Sequence, residues 1–379
     1  MPVSVQDFDV IVVGAGPAGS AAALAALRAK PSARVLLLDR APLGRDKVCG
    51  DGIAPHAVEA LENLGVTAVY DHEVVPAVRL SAPGGRSSGA VTRSPGYVVP
   101  RREFDERLAR AAIAAGARYR QHRVMTLWQS ERSVTIDGQY RAPVLIAADG
   151  SNSIVRRLVG ESSNQGSALA VAVRGYVPTP PEMVPELVIR WDSQRAGGLC
   201  YAWAFPTSAG TTNVGYGMSS AAVTGGRAQL LDRLRTLLPE YDLDGVRLVG
   251  HTLPLTISRP RAAVGRVLLT GDAASLINPM TGEGIYSAIV SGALAGRFAI
   301  THPATAGRLY RSSLARRFGA QHRQLRALYP LINSRFVLDT VIRACERDRR
   351  EFDRLLEVGL GDSRFTLRDI VRFVRAVKR

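Results

Sequence analysis

The sequence predicts an α/β protein: a parallel-sheet core of Rossmann type, an inserted antiparallel β-sheet domain, and a helical C-terminal region. Three observations carry this expectation. Residues 9–13 (DVIVV) run into Gly14-Ala-Gly16-Pro-Ala-Gly19 and an Ala-rich stretch, and a second apolar run at 35–38 ends in Asp39. Two later apolar runs, at 145–147 and 267–269, also lead into small residues and an aspartate. Between 162 and 260 the pattern changes to short alternating or apolar runs separated by Gly and Pro, and from 305 it becomes helical.

Composition narrows the function classes. A chain of 379 residues with 46% hydrophobic content can bury a sizeable core, so disorder is not expected. Cys49, Cys200 and Cys345 are few, odd in number and far apart, which indicates a reducing, cytoplasmic setting and no disulfide framework. The start has no basic segment before its apolar run, so no signal peptide is expected. The most apolar stretch, 21–27, meets Arg28 and Lys30 far short of the roughly 18 apolar residues a membrane span needs, leaving only peripheral membrane contact. The formal charge of +16 is almost entirely arginine, since the lysines are Lys30, Lys47 and Lys378 alone. That scatter reads as compositional bias, and nucleic acid is not an expected partner. Residues 308–326 and 343–379 concentrate arginine in helical sequence; a solvated face is the plain reading, attraction to a membrane surface or acidic partner the alternative.

The first βαβ unit has a division of labour. Gly14 makes the tight bend, Gly16 lets a pyrophosphate approach the backbone, and Gly19 lets helix and strand pack closely. The helix opening at Pro17 and Ala18 presents free N–H groups and a positive dipole end to phosphates. Asp39, 25 residues after Gly14 and followed by Arg40, is placed to accept hydrogen bonds from adenosine ribose hydroxyls. A dinucleotide site follows, because the glycine pattern sits between a strand and a helix.

Residues 145–156 (LIAADGSNSIVR) run from a strand through Asp149 and Gly150 into a helix, and resemble the Asp-Gly motif of FAD-dependent hydroxylases. Residues 266–275 (RVLLTGDAAS) place Asp272 at a strand's carboxyl end; in the resembling families this aspartate binds the ribityl chain of FAD. In residues 278–286 (NPMTGEGIY), Gly282 and Gly284 permit close backbone approach. The helix from Ile285 can stabilise the negative charge that reduction puts on the flavin N1/C2=O edge. Arg101 matches an arginine on the flavin side of FAD, with Arg102 the one-residue alternative, and the resemblance also assigns Val124, Cys49 and Gly50 to the cofactor. It implies a discontinuous FAD-binding domain of glutathione-reductase and hydroxylase type at 1–73, 98–161 and 262–304. A substrate domain at 74–97 and 162–261 and a helical region at 305–379 complete the chain.

Tyr201-x-Trp203-x-Phe205-Pro206, with the returning Asn213-Val-Gly-x-Gly217, resembles the signature of the geranylgeranyl reductase family, as does Lys47-x-Cys49-Gly50-x-Gly52. The motif order fits over about the first 300 residues. Membership implies FAD-dependent reduction of isolated carbon–carbon double bonds in prenyl chains, as in archaeal lipids, chlorophyll side chains and menaquinone tails. Asp51 departs from the glycine common in that motif, and C-G-D-G looks more like the menaquinone-tail reductases. Alternation puts Tyr201, Trp203 and Phe205 on one side of a strand, either as an aromatic wall for an apolar substrate or as the sheet's core face.

Such a reaction delivers a hydride to one alkene carbon and a proton to the other, in a site that excludes water. Cys49, Asp51, Tyr201 and Tyr216 are the proton-donor candidates, and Trp203 shapes the site. The rival enzyme is an FAD-dependent monooxygenase, a hydroxylase or halogenase acting on an aromatic intermediate. A halogenase needs a later active-site lysine, and none lies between Lys47 and Lys378. A rival of another class is a non-catalytic flavoprotein that binds a lipid or membrane partner. Without a second G-x-G-x-x-G, the electron donor is left among NAD(P)H at the flavin face, ferredoxin and free reduced flavin. No metal is expected, and a monomer is.

Overall fold

The computed structural model describes residues 5–192, 198–331, 334–366, 368–369 and 371–372. The segment 373–379, with Lys378, lies outside the described residues. A six-stranded sheet runs in the order Ala263–Val264, Val267–Leu269, Leu145–Ala147, Val10–Val13, Val35–Asp39, Arg118–Gln121. Every pairing is parallel except the edge hairpin at 263–269. Its central strands are continuous apolar runs buried on both faces, the pattern a parallel sheet covered by helices demands.

Two small-residue helices cover one face together. Gly292 and Gly296 on the Ile285–Thr301 helix face the Pro17–Ala29 helix so closely that a Cβ on either would stand 2.0 Å from the carbonyl oxygens of Ala18 and Ala22. Side chains larger than hydrogen would push the Ile285–Thr301 helix away from the Pro17–Ala29 helix.

The second sheet has eight strands, ordered Val249–Pro254, Leu169–Pro178, Thr211–Ser219, Cys200–Pro206, Glu186–Trp191, Val74–Ser81, Ser87–Val98, Gly52–Ile53. It corrects the antiparallel expectation at one place: Glu186–Trp191 runs parallel to Val74–Ser81, with Glu186 opposite Ala77. The chain between these strands crosses the parallel core, and a connection that long leaves direction free where a hairpin would not. One face packs on the Gly226–Leu237 helix through Ala202, Ala204, Tyr216, Leu230 and Leu234. A four-stranded sheet of two- and three-residue strands, Gln6–Asp7, Tyr140–Ala142, Val134–Ile136 and Leu127–Gln129, is too short-ranged to be legible in the sequence.

The C-terminal helices Ala306–Leu328, Arg335–Arg347 and Arg349–Leu360 close the molecule, with Leu338, Ile342, Phe352 and Leu355 packed on Val78, Leu80 and Trp191. Ser334 and Asp348 accept first-turn N–H groups at two helix starts. Many of their arginines are paired with acids: Arg335 with Asp339, Arg349 with Asp353, Arg354 with Asp369. Among the described residues, no helix is long and apolar enough to cross a membrane.

Candidate active site

At the phosphate end, Gly14 adopts φ 105° and a Cβ there would strike the Ala148 carbonyl at 2.2 Å, so the glycine lets the turn press on the neighbouring strand. A Cβ on Gly16 would meet nothing nearer than 3.6 Å, which leaves space over the uncapped start of the Pro17–Ala29 helix. Asp39 accepts from the Ala15 N–H at 2.8 Å and from the Ala41 N–H at 2.9 Å. Arg40 is exposed, whereas Arg45, which the sequence reading passed over, stands 3.8 Å from Asp39 and faces the glycine loop. Val124 is buried in the core that carries the loop. The Asp149 carboxylate accepts from Ser153 at 2.6 Å and from the Val155 N–H at 3.1 Å, so it caps the next helix while the backbone before Gly150 meets Gly14.

Beyond the loop lies a cavity of about 510 Å³. Pro17, Lys47, Cys49, Arg101, Asp272 and residues 282–285 line it. Tyr201, Trp203 and Phe205 line it too, Trp203 and Phe205 lying against Gly50 and Gly52 and Tyr201 against Gly282, and Leu80, Leu187, Ile189 and Trp191 extend the apolar lining. The two readings of the aromatic alternation are thereby separated: the rings wall the cavity, while Ala202 and Ala204 form the core face behind them. Gly215 makes room for Trp203, since a Cβ there would lie 2.1 Å from the indole.

Charged groups line the cavity near the nucleotide motifs, and the paired Arg93 and Asp353 also border it. Lys47 Nζ donates to Asp272 at 2.9 Å. Burial alone would raise the Asp272 carboxyl, but the ammonium holds it below the ordinary carboxylate range. His251, 3.0 Å from the Ser151 hydroxyl, is pushed down to about 4 by burial and by Lys47, so the imidazole is neutral. Arg101 is buried and grips Asp105 through two bonds at 2.7 and 2.8 Å. Arg102, the one-residue alternative, is exposed, whereas Arg101 lines the cavity.

The loop before the Ile285–Thr301 helix is clamped from two sides. The Tyr201 hydroxyl donates to the Thr281 carbonyl, and burial raises the phenol. From the other side, Asn278 Nδ2 and Thr281 Oγ1 donate to the Gly359 carbonyl at 3.1 and 2.8 Å. Glu283 accepts from the Tyr286 N–H at 2.7 Å, and burial pushes its carboxyl up to about 7. Glu283 and Gly359 escaped the sequence reading; only the G-E-G run hinted at the first, and nothing local indicated the second.

Two proton-donor candidates lie elsewhere. Tyr216 is fully buried on the far face of the sheet, where its hydroxyl donates to Asp192 at 2.8 Å beside Cys200. Asp51 is also fully buried, and its neighbours Gly50 and Gly52 line the cavity while its carboxylate points behind the turn. Cys49, Tyr201 and Trp203 do share the cavity. Among the described residues, no group of His, Cys, Asp and Glu could hold a metal ion.

An open phosphate cradle, an acid at the ribose position and a buried acceptor at the carboxyl end of the central sheet fit FAD. Residues 7–297 match the family described as FAD binding domain. A menaquinone reductase of Mycobacterium tuberculosis is 35% identical over 343 residues, covering 84% of this chain and 82% of that protein. A digeranylgeranylglycerophospholipid reductase 1 of Methanopyrus kandleri is 33% identical over 314 residues, covering 78% and 81%. A geranylgeranyl bacteriochlorophyll reductase-like structure from Thermoplasma acidophilum superposes with a TM-score of 0.80 at 23% identity, covering 99% and 98%. The chain belongs to the FAD-binding domain family and, within it, to the geranylgeranyl reductase family of FAD-dependent oxidoreductases.

Proposed function

We propose that the protein reduces a carbon–carbon double bond in a prenyl chain. The single observation that carries this reading is the cavity: three aromatic rings and an aliphatic extension share it with the residues that fit the flavin. A polar or ionic substrate would find few partners on that wall, whereas a polyprenyl segment buries apolar area along its length. The printed activities of the M. tuberculosis and M. kandleri relatives support the same substrate class.

Bound FAD supplies the hydride. The chain's own residues align the alkene against the Trp203 and Tyr201 rings, keep water from the apolar wall, and supply Cys49, which lines the cavity, as the proton donor. The Tyr201 hydroxyl proton is already engaged with Thr281, which favours Cys49 as the donor. The electron donor is NAD(P)H at the flavin face, ferredoxin or free reduced flavin, and stopped-flow reduction with each in turn identifies it.

The test is anaerobic. Protein reduced with dithionite and mixed with a prenyl quinone or geranylgeranyl lipid is expected to reoxidise and to yield a product heavier by two hydrogens. A flavin that stays reduced, or a product that forms only with oxygen and gains an oxygen atom, refutes the reading.

A further inference from the structure

Asp51 is the position where the cysteine turn departs from glycine, and it has φ 64°, the left-handed region that disfavours side chains. Strain of this kind persists only where the surroundings over-determine it. Here the carboxylate accepts from the Tyr176 hydroxyl, from Asn213 Nδ2 at 2.7 Å and from the Arg101 N–H at 3.3 Å. Asn213 is used at both ends. Its Oδ1 accepts from Trp203 Nε1 at 3.0 Å, and its Nδ2 also donates to the Cys49 carbonyl at 2.9 Å.

One buried cluster therefore connects three parts of the fold: the cysteine turn, the start of the Arg101–Ala114 helix, and three strands of the eight-stranded sheet. Three of its members, Cys49, Arg101 and Trp203, line the same cavity. We propose that Asp51 and Asn213 are positioning residues that hold the Cys49 thiol and the Trp203 ring in fixed relation at the substrate cavity. Asp51 acts only through its neighbours, because its carboxylate is buried behind the turn. Its charge is balanced by Arg101, itself paired with Asp105, and by Arg174, which pairs with Asp46 at 2.5 Å and stacks on Tyr176.

The kinetic part of the inference rests on the prenyl-reductase reading; the structural part does not. The experiment uses FAD-loaded full-length protein and follows iodoacetamide labelling at each cysteine by peptide mass mapping. Cys200 and Cys345 are buried and serve as internal references. Asp51→Gly suits the left-handed backbone, so it removes the carboxylate without unfolding the turn. Asp51→Gly and Asn213→Ala are each expected to speed labelling of Cys49 about tenfold, the effect of losing a buried hydrogen bond to a charged group. Bound FAD is expected to stay at the parental level, and kcat on a prenyl substrate to fall about tenfold with KM within about twofold. Asp51→Asn tolerates the same backbone and keeps an acceptor oxygen, and is expected to label within about threefold of the parent. Labelling of Cys49 at the parental rate in both Asp51→Gly and Asn213→Ala overturns the inference. So does loss of FAD in step with faster labelling, which would put the effect on the cofactor. If the parent reduces no prenyl substrate, the reductase reading falls, and the labelling result still decides the positioning role.

Discussion

Lys47 Nζ stands 2.9 Å from Asp272 Oδ2, so the aspartate that the flavoprotein resemblance assigns to the ribityl chain is paired with the lysine of the cysteine turn. The pair joins two segments more than 200 residues apart. It keeps a buried carboxylate ionised, and therefore able to accept a hydroxyl proton.

Removing the ammonium should let burial protonate Asp272 and cost it acceptor strength. Lys47→Met is expected to weaken FAD binding by at least about tenfold, the usual effect of losing a charge-assisted hydrogen bond. Titration of apoprotein with FAD, followed by quenching of flavin fluorescence, checks this; an unchanged dissociation constant would show that the pair does not support the cofactor.

Gly215 is fitted to the Trp203 indole, with 2.1 Å between that ring and a Cβ built at 215. Gly215→Ala must displace the ring or the strand, and overpacking of this kind costs about 1–3 kcal/mol. Urea unfolding is expected to show that loss together with a shifted tryptophan emission. Parental stability and emission would mean that the wall yields freely.

Burial pushes the Asp51 carboxyl from 3.8 up to about 6. An unfolded aspartate ionises near 3.9, so between about pH 4 and about pH 6 the folded state binds more protons than the unfolded one. Stability therefore falls as pH rises through that window, by about 3 kcal/mol for a shift of this size, and is level above it. Asp51→Asn removes that slope. Urea midpoints from about pH 4 to about pH 7 should diverge between parent and variant, and parallel curves would contradict the assignment.

Glu283 lines the cavity beside the loop expected to meet the flavin N1/C2=O edge, with its carboxyl pushed up to about 7 by burial. As pH rises through about 7 the carboxylate forms and opposes the negative charge of reduced FAD. Glu283→Gln is expected to raise the midpoint potential above pH 7, on the order of 30 mV for each tenfold of stabilisation in a two-electron couple. Equal potentials for parent and variant at high pH would remove Glu283 from the cofactor's surroundings.

Local periodicity and glycine spacing determine the strand–loop–helix unit at 10–29, the apolar strands of the parallel sheet, and the alternation that turns Tyr201, Trp203 and Phe205 the same way. These features rest on contacts within a few residues, where backbone geometry sets which way each side chain points. The tertiary structure alone decides what lies opposite. It orients Glu186–Trp191 parallel to Val74–Ser81, pairs Lys47 with Asp272, sets Gly359 on the Thr281 loop, and turns Tyr216 to the far face of the sheet. Asp51 shows the limit most plainly. Its chemistry and its neighbour Cys49 suggest a proton donor, but its role depends on Tyr176 and Asn213, more than 120 residues away, which bury it behind the turn. Sequence spacing cannot report such partners, because burial and hydrogen bonding are set by strands that meet only after the chain has folded.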